Sequence, residues 1–101
     1  MKKIINGKKY DTETATKIYG NSSGHSFSDF RFCSEALFLK KTGEYFLYGE
    51  GGPMSDYGEN YGNGRGWGEK ITPYSEEDAR KWLEINADAD TYEKCWGEIP
   101  E

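Results

Sequence analysis

The sequence is poor in the side chains that most often carry out catalysis. It contains one histidine, His25, which lies in a polar Ser-Gly stretch beside no catalytic motif. Any Ser/His/Asp or Cys/His arrangement would have to use this residue, so a surface loop position is the favoured interpretation. Cys33 and Cys95 lie far apart and lack CxxC spacing, which argues against zinc and dithiol motifs. Two reduced thiols are therefore expected, with one disulfide as the alternative.

Long apolar runs are also missing. No stretch approaches the ~18 residues that a membrane-spanning helix needs, and the basic N-terminus precedes no apolar segment. The sequence therefore predicts neither a membrane contact nor a signal peptide. Hydrophobic residues make up only 35% of the chain, whereas aromatic residues make up 16%. One core built from Phe, Tyr and Trp is expected, within a single domain over residues 1–101.

Charge is unevenly distributed along the chain. Thirteen basic and eighteen acidic residues give a net charge of -5. Residues 1–50 contain eight Lys/Arg and six Asp/Glu, while residues 51–101 contain five and twelve. The second half is therefore expected to form an acidic surface, which would repel nucleic acid and attract a basic protein surface. The alternative is an acidic surface that only maintains solubility.

Strand signals dominate the first 74 residues. "KII", "NG" and "KKY" predict a short hairpin, because Asn-Gly tolerates the positive φ values of a tight turn. A second hairpin is expected to join "SEALFLK" to "EYFLYG", with Gly43 in the turn. Residues 15–19 and 71–74 predict two further strands. Phe27, Phe30 and Phe32 form an aromatic cluster that is expected to fold back over the sheet.

Helix signals occupy residues 75–97. Ser75 stands three residues before Asp78, which is typical of a capped helix start. Ala79, Trp82, Leu83 and Ala87 then follow a helical spacing, and a second short helix is expected between Asp88 and Gly97. The predicted fold class is α+β: a small antiparallel sheet of about four short strands, with the C-terminal helical segment packed on one face.

Residues 49–69 are predicted to form a glycine-rich loop. They contain eight of the thirteen glycines but no Gly-Lys-Ser/Thr sequence, so they are not a P-loop. A dinucleotide-binding fingerprint beginning at Gly62 fails because Trp67 stands where the last glycine is required. The acidic residues of the segment also oppose the binding of a polyanion.

The composition of this segment favours recognition of a protein. Tyr, Trp and Arg dominate the energetics of protein interfaces, and acidic residues beside them suit a basic partner. The predicted partner-binding residues are Glu50, Asp56, Tyr57, Glu59, Tyr61, Arg65, Trp67 and Glu69. No catalytic residue, metal ligand or cofactor is predicted. The alternative for Tyr57, Tyr61 and Trp67 is that they pack onto the sheet.

Two other functions remain open from the sequence. One is a small hydrolase or transferase that uses His25 with carboxylates of the loop. The other is a single-stranded nucleic-acid-binding module, in which Lys40, Lys41, Tyr45 and Tyr48 supply charge and stacking surfaces. The net negative charge opposes the second function, so direct nucleic-acid binding is not expected.

Three stretches of the sequence carry a resemblance to a known group of proteins. They are "KKIINGKKYDTETA", "EALFLKKTGEYFLYGEGGPMSDY" and "EKITPYSEEDARKWLE". The chain resembles small acidic proteins of bacterial phages and integrative mobile elements, among which anti-CRISPR proteins are the best-known class. The resemblance implies a non-enzymatic inhibitor in the cytoplasm of a bacterial host cell. Such a protein would occlude a basic, nucleic-acid-binding surface of a defence complex.

Overall fold

The computed structural model describes residues 1–100, which form eight strands and two helices. The elements, in chain order, are β1 (Lys2–Ile5), β2 (Lys8–Asp11), β3 (Thr16–Ser22), β4 (Cys33–Leu39), β5 (Tyr45–Gly51), β6 (Glu59–Tyr61), β7 (Gly64–Gly66), β8 (Gly68–Tyr74), α1 (Glu76–Asn86) and α2 (Ala89–Trp96). A four-stranded antiparallel sheet has the order β3-β4-β5-β8, and the pairs β1-β2 and β6-β7 are separate hairpins. The α+β prediction, with a small antiparallel sheet and C-terminal helices, is confirmed.

Each face of the main sheet packs against a different element. Strand alternation sends Leu37 and Leu47 to one face, where they contact Trp82 and Leu83 of α1. Their neighbours Phe38 and Phe46 point to the other face, where the rings stack with centroids 5.1 Å apart. The β1-β2 hairpin covers that pair of rings with Tyr10. We call these two sides the helix face and the hairpin face.

Local signals hold the β1-β2 hairpin in place. Asn6 and Gly7 both have positive φ, 51° and 77°, as a two-residue turn of this kind requires. Glu44 in the β4-β5 turn forms ion pairs with Lys8 (2.9 Å) and Lys40 (3.1 Å). Hydrogen bonds from these two lysines lower the pKa of the Glu44 carboxyl to about 2. Glu44 therefore connects the hairpin to the sheet that it covers.

The helices begin where the sequence predicted. Ser75 and Asp78 form a reciprocal capping box, and Asp88 accepts a hydrogen bond from the Thr91 backbone N–H at 2.8 Å. Helix α2 begins at Ala89, because Asp88 itself is the cap. Gly97 ends it with a positive φ of 84°. The helices contain 11 and 8 residues, so neither helix of the described chain is long enough to cross a membrane.

The predicted loop at residues 49–69 is wrong in its boundaries. Strand β5 continues to Gly51 and β8 begins at Gly68, so only residues 52–58 form an irregular segment before the β6-β7 hairpin. The strand predicted at residues 15–19 instead covers Thr16–Ser22. Glycine has no side chain, so a glycine-rich strand shows no hydrophobic alternation in the sequence even when its backbone pairs regularly.

The Ser75 cap provides a direct test of the helical layer. Ser75→Ala removes the side chain that accepts from the Asp78 backbone N–H, so the free energy of unfolding should fall by about 1 kcal/mol. Urea denaturation followed by circular dichroism measures the change. Ser28→Ala is the matched control, because Ser28 is exposed and its hydroxyl contacts only the Ser26 hydroxyl, at 3.4 Å. Equal midpoints for the two variants would contradict the assigned role of the cap.

Candidate protein-binding site on the open half of the hairpin face

The segment 52–58 closes the end of the helix face that α1 does not reach. Gly49 and Gly51 lie on this face, and the segment folds back so that Tyr57 lies over Gly49 and Ser55 over Gly51. A Cβ atom at either glycine would collide with these side chains. The glycines therefore provide a bare strip on which the segment packs, and Tyr57 faces the sheet rather than solvent.

Glu35 joins this segment to the helical layer. Its carboxylate accepts a hydrogen bond from the Tyr57 hydroxyl through one oxygen and from Trp82 Nε1, at 3.4 Å, through the other. Burial is the main cause that raises the pKa of Tyr57 well above its usual value, and the bond to Glu35 adds to it. The phenol therefore remains a donor over the whole physiological pH range.

Arg65 of β7 holds the same segment from the other side. Its guanidinium donates to the carbonyl oxygens of Pro53 (2.7 Å), Gly58 (2.9 Å) and Ser55 (3.5 Å). These bonds occupy both its Nε and one terminal nitrogen. Tyr57 and Arg65, two of the predicted anchors, thus have structural contacts inside the chain; Tyr57 is half-buried, whereas Arg65 stays exposed.

The hairpin face is only half covered. The β1-β2 hairpin packs over Phe38 and Phe46, and Tyr48 contacts the edge of this cluster. Beyond it towards Glu50 a cavity of about 730 Å³ opens, with Lys17 among its lining residues. The cavity is lined in part by Gly20, Ser34, Ala36, Tyr48 and Glu50. We call this region, together with Glu69, the open face.

Two predicted carboxylates meet on the open face. Glu50 and Glu69 are directly opposite each other in the β5-β8 register. The Tyr48 hydroxyl lies 2.9 Å from Glu50 Oε2 and 2.6 Å from Glu69 Oε2, yet it has only one proton to donate. Burial, followed by the bonds to Glu69 and Glu50, raises the pKa of Tyr48. Within residues 1–100 neither carboxylate forms an ion pair.

An aromatic cluster borders the open face. Phe32 and Trp67 are the residues immediately before β4 and β8, and their rings stack with centroids 5.7 Å apart. Strand alternation places them on the same side as Glu50 and Glu69. Phe27 packs on Trp67 at 4.8 Å but stays 69% exposed. The expectation that the three phenylalanines fold back over the sheet is therefore met only in part, since Phe30 is 65% exposed.

Met54 extends the apolar surface and was not among the predicted site residues. Its backbone N–H donates to the Phe30 carbonyl at 2.8 Å, and its side chain is 70% exposed. We call Phe27, Phe30, Phe32, Met54 and Trp67 the aromatic end. The sequence signal for it was the closely spaced phenylalanines, but pairing of residues 30–32 with 52–54 could not be read from either segment alone.

The remaining predicted residues lie on the rim of this surface. Tyr61 is 58% exposed, and its hydroxyl donates to the Trp67 carbonyl at 2.9 Å and also lies 3.1 Å from Glu59. Asp56 and Glu59 are exposed and, in the described part of the chain, have no basic partner. The structure thus brings together Glu50, Trp67 and Glu69, and keeps Asp56, Glu59 and Tyr61 near them.

Residues of the two alternative functions do not converge. His25 Nδ1 lies 3.9 Å from Asp29 Oδ2, so the carboxylate beside it belongs to its own loop and not to the glycine-rich segment. Tyr45 packs with Trp96 on the helix face, whereas Tyr48 lies on the hairpin face, so they form no common stacking platform. Both cysteines are free. No group of three or more His, Cys, Asp or Glu side chains in residues 1–100 is placed to hold a metal ion.

The geometry defines a class of site: a rigid sheet face with a carboxylate pair, bordered by exposed aromatic rings. No protein-family model, curated protein or solved structure matches the chain. What the site can bind is therefore inferred from its own chemistry.

The packing of Tyr57 on Gly49 gives a prediction about the loop. Gly49→Ala places a methyl group where the Tyr57 ring lies, so we expect displacement of Tyr57 and a loss of about 1–3 kcal/mol of unfolding free energy. Gly64→Ala is the matched control, because nothing lies within 4 Å of the corresponding Cβ position. Chemical denaturation measures both. A Gly49→Ala protein as stable as the control would show that the ring does not pack there.

Tyr57 also predicts a loss of stability at alkaline pH. Its folded pKa lies above the usual 10.0, so the unfolded chain loses this proton first as the pH rises, and unfolding becomes easier above about pH 10. Tyr57→Phe should be less stable near pH 7 but lose less stability between pH 9 and 11. Urea midpoints across that range measure the two slopes. Parallel slopes for the variant and the parent chain would refute a protonated, buried Tyr57.

Proposed function

We propose that the chain is a non-catalytic binding protein whose open face and aromatic end dock on a basic surface of a partner protein. The Glu50–Glu69 pair carries the proposal. Like charges directly opposite on neighbouring strands destabilise a sheet. Within residues 1–100 the two carboxylates share the single Tyr48 proton, and the Ser34 hydroxyl, 3.4 Å from Glu50, is the one further side-chain donor. A guanidinium or ammonium group from a partner would satisfy both carboxylates at once, because it supplies several N–H donors and the opposite charge.

The aromatic end supports the same role. Phe27, Phe30 and Met54 are each at least 65% exposed, and Phe27 packs on the Trp67 ring while the Met54 backbone pairs with Phe30. A concentration of exposed apolar side chains is typical of a surface that binds something. Tyr57 and Arg65 hold the supporting segment through hydrogen bonds, so little conformational entropy is lost when it binds. Apolar anchors beside unpaired carboxylates fit a partner whose surface is basic and contains apolar or aromatic contacts.

The basic surface that we propose is one that binds nucleic acid. A protein with a net charge of -5 and an acidic second half competes with DNA or RNA for such a surface. The sequence also resembles small acidic proteins of phages and mobile elements. On this basis we propose that the chain is an anti-CRISPR-like inhibitor of a bacterial defence complex and acts in the host cytoplasm. The association rate of the chain with this partner should then be high at low salt and lower at high salt.

Competition with DNA tests this function directly. Adding the chain to purified bacterial CRISPR nuclease complexes should abolish the DNA mobility shift of the complex that it targets, while the DNA and the nuclease remain intact. The effect should weaken as salt rises from ~50 to 500 mM, because it depends on charge. Binding that leaves the DNA shift unchanged, or cleavage of the DNA or the nuclease, would overturn the proposal.

The carboxylate pair predicts opposite effects on stability and on binding. Glu69→Gln removes the like-charge repulsion and keeps an acceptor for Tyr48, so unfolding free energy should rise by about 0.5 kcal/mol. The Glu50→Gln/Glu69→Gln protein should inhibit DNA binding at least about tenfold more weakly. Glu13→Gln, at an exposed carboxylate outside the open face, is the matched control and should change neither. Full inhibition by the double variant would refute the assigned site.

A further inference from the structure

A second surface lies on the opposite side of the molecule, between the two helices. A groove of about 600 Å³ runs between α1, α2 and the residues after them. Its floor is apolar, formed by Leu83, Ala87, Ala89, Tyr92 and Ile99. Its rim consists of Glu84, Asp88, Glu93 and Glu98, and no Lys or Arg lines it. An apolar groove with a wholly acidic rim fits a segment that presents an apolar side chain between basic ones.

Two of the rim carboxylates are available for such a segment. Asp88 caps α2 through the Thr91 N–H, and Glu93 accepts from the Ile99 N–H at 3.1 Å. Glu84 and Glu98 have neither a hydrogen bond nor an ion pair from the residues that the structure describes. Their charges are therefore uncompensated at the edge of the apolar floor.

The chain itself contains a segment of the required chemistry. In the β1-β2 hairpin, Tyr10 and Ile5 point into the core, so alternation directs Lys2, Ile4 and Lys9 outward. Ile4 is 64% exposed and lies directly opposite Lys9. Neither Lys2 nor Lys9 takes part in an ion pair within residues 1–100. Asp11 lies opposite Lys2 in the register but is only 8% exposed, so the exposed part of this outer face has an apolar side chain between two lysines, the complement of the groove.

We propose that the helical groove of one copy binds the outer face of the β1-β2 hairpin of a second copy. The hairpin and the helices lie on opposite faces of the main sheet, so one molecule cannot make this contact with itself. The contact is heterologous, since different surfaces of the two copies meet, and it produces head-to-tail association. None of the residues in this contact belongs to the aromatic end.

Sedimentation velocity of the intact chain tests the association. At ~50 mM salt the mean mass should rise with protein concentration, and at ~500 mM salt it should return to the monomer because the ion pairs are screened. Ile4→Ser should weaken association roughly fivefold without unfolding the chain, since the side chain is exposed. A monomer at every concentration and salt would overturn the proposal.

Charge reversal identifies the two surfaces. Lys2→Glu/Lys9→Glu and Glu84→Lys/Glu98→Lys should each weaken self-association at least about tenfold, because like charges then meet. An equimolar mixture of the two variants should associate again, since each hairpin then faces a groove of opposite charge. Both variants keep a negative net charge, so attraction between molecules of opposite net charge cannot explain renewed association in the mixture.

A matched variant controls for net charge. Glu13→Lys/Glu77→Lys has the same net charge as the groove variant, but neither residue lines the groove. It should associate as the parent chain does. If it dissociates as much as the groove variant, or if the mixture of reversed variants stays monomeric, the head-to-tail contact is wrong.

Discussion

The Glu35 carboxylate connects the main sheet to the two elements that lie over its helix face, segment 52–58 and helix α1. It belongs to the central strand β4, and it accepts from Tyr57 in segment 52–58 and from Trp82 in α1. A half-buried carboxylate needs such donors, because a charge that is removed from water without partners is costly. The helix and the segment are thereby placed end to end on one side of the sheet, and the glycines beneath Tyr57 allow the segment to approach the backbone.

The helices and segment 52–58 cover the central strands on the helix face, whereas on the hairpin face Glu50 of the central strand β5 stays uncovered by the hairpin. The β1-β2 hairpin is too short to cover it: strands of four residues reach over Phe38 and Phe46 but not to Glu50. Glu50 and Glu69 consequently meet directly opposite each other on a part of the sheet that the hairpin does not cover. The candidate site thus results from two unequal layers: the helices and segment 52–58 cover the centre of their face, whereas the short β1-β2 hairpin covers about half of the other.

The sequence predicted correctly those turns and helices that depend on interactions between residues close together in the chain. The Asn-Gly turn, the turn at Gly43, the Ser75 cap and the apolar stripe of α1 all depend on residues within one turn of each other. The orientation of Tyr57 depends on Glu35, which is 22 residues away in sequence, and the meeting of Glu50 with Glu69 depends on the β5-β8 register. Composition identified the acidic and aromatic residues. Only the strand pairing and the tertiary contacts show which of these side chains make contacts inside the chain and which are exposed on the surface.

The edges of the sheet restrict how a partner can approach. Pro73 lies within the edge strand β8, and a proline is admitted there only with its nitrogen turned away from the neighbouring strand. The outer edge of β8 therefore lacks one donor for an added strand. At the other edge, the register of β3 shifts between Lys17 and Tyr19, which interrupts the ladder that a partner strand would extend. Both edges thus have a feature that disfavours strand addition, and the partner binding proposed above would use side chains on the faces, where the carboxylates and the exposed aromatic rings are found.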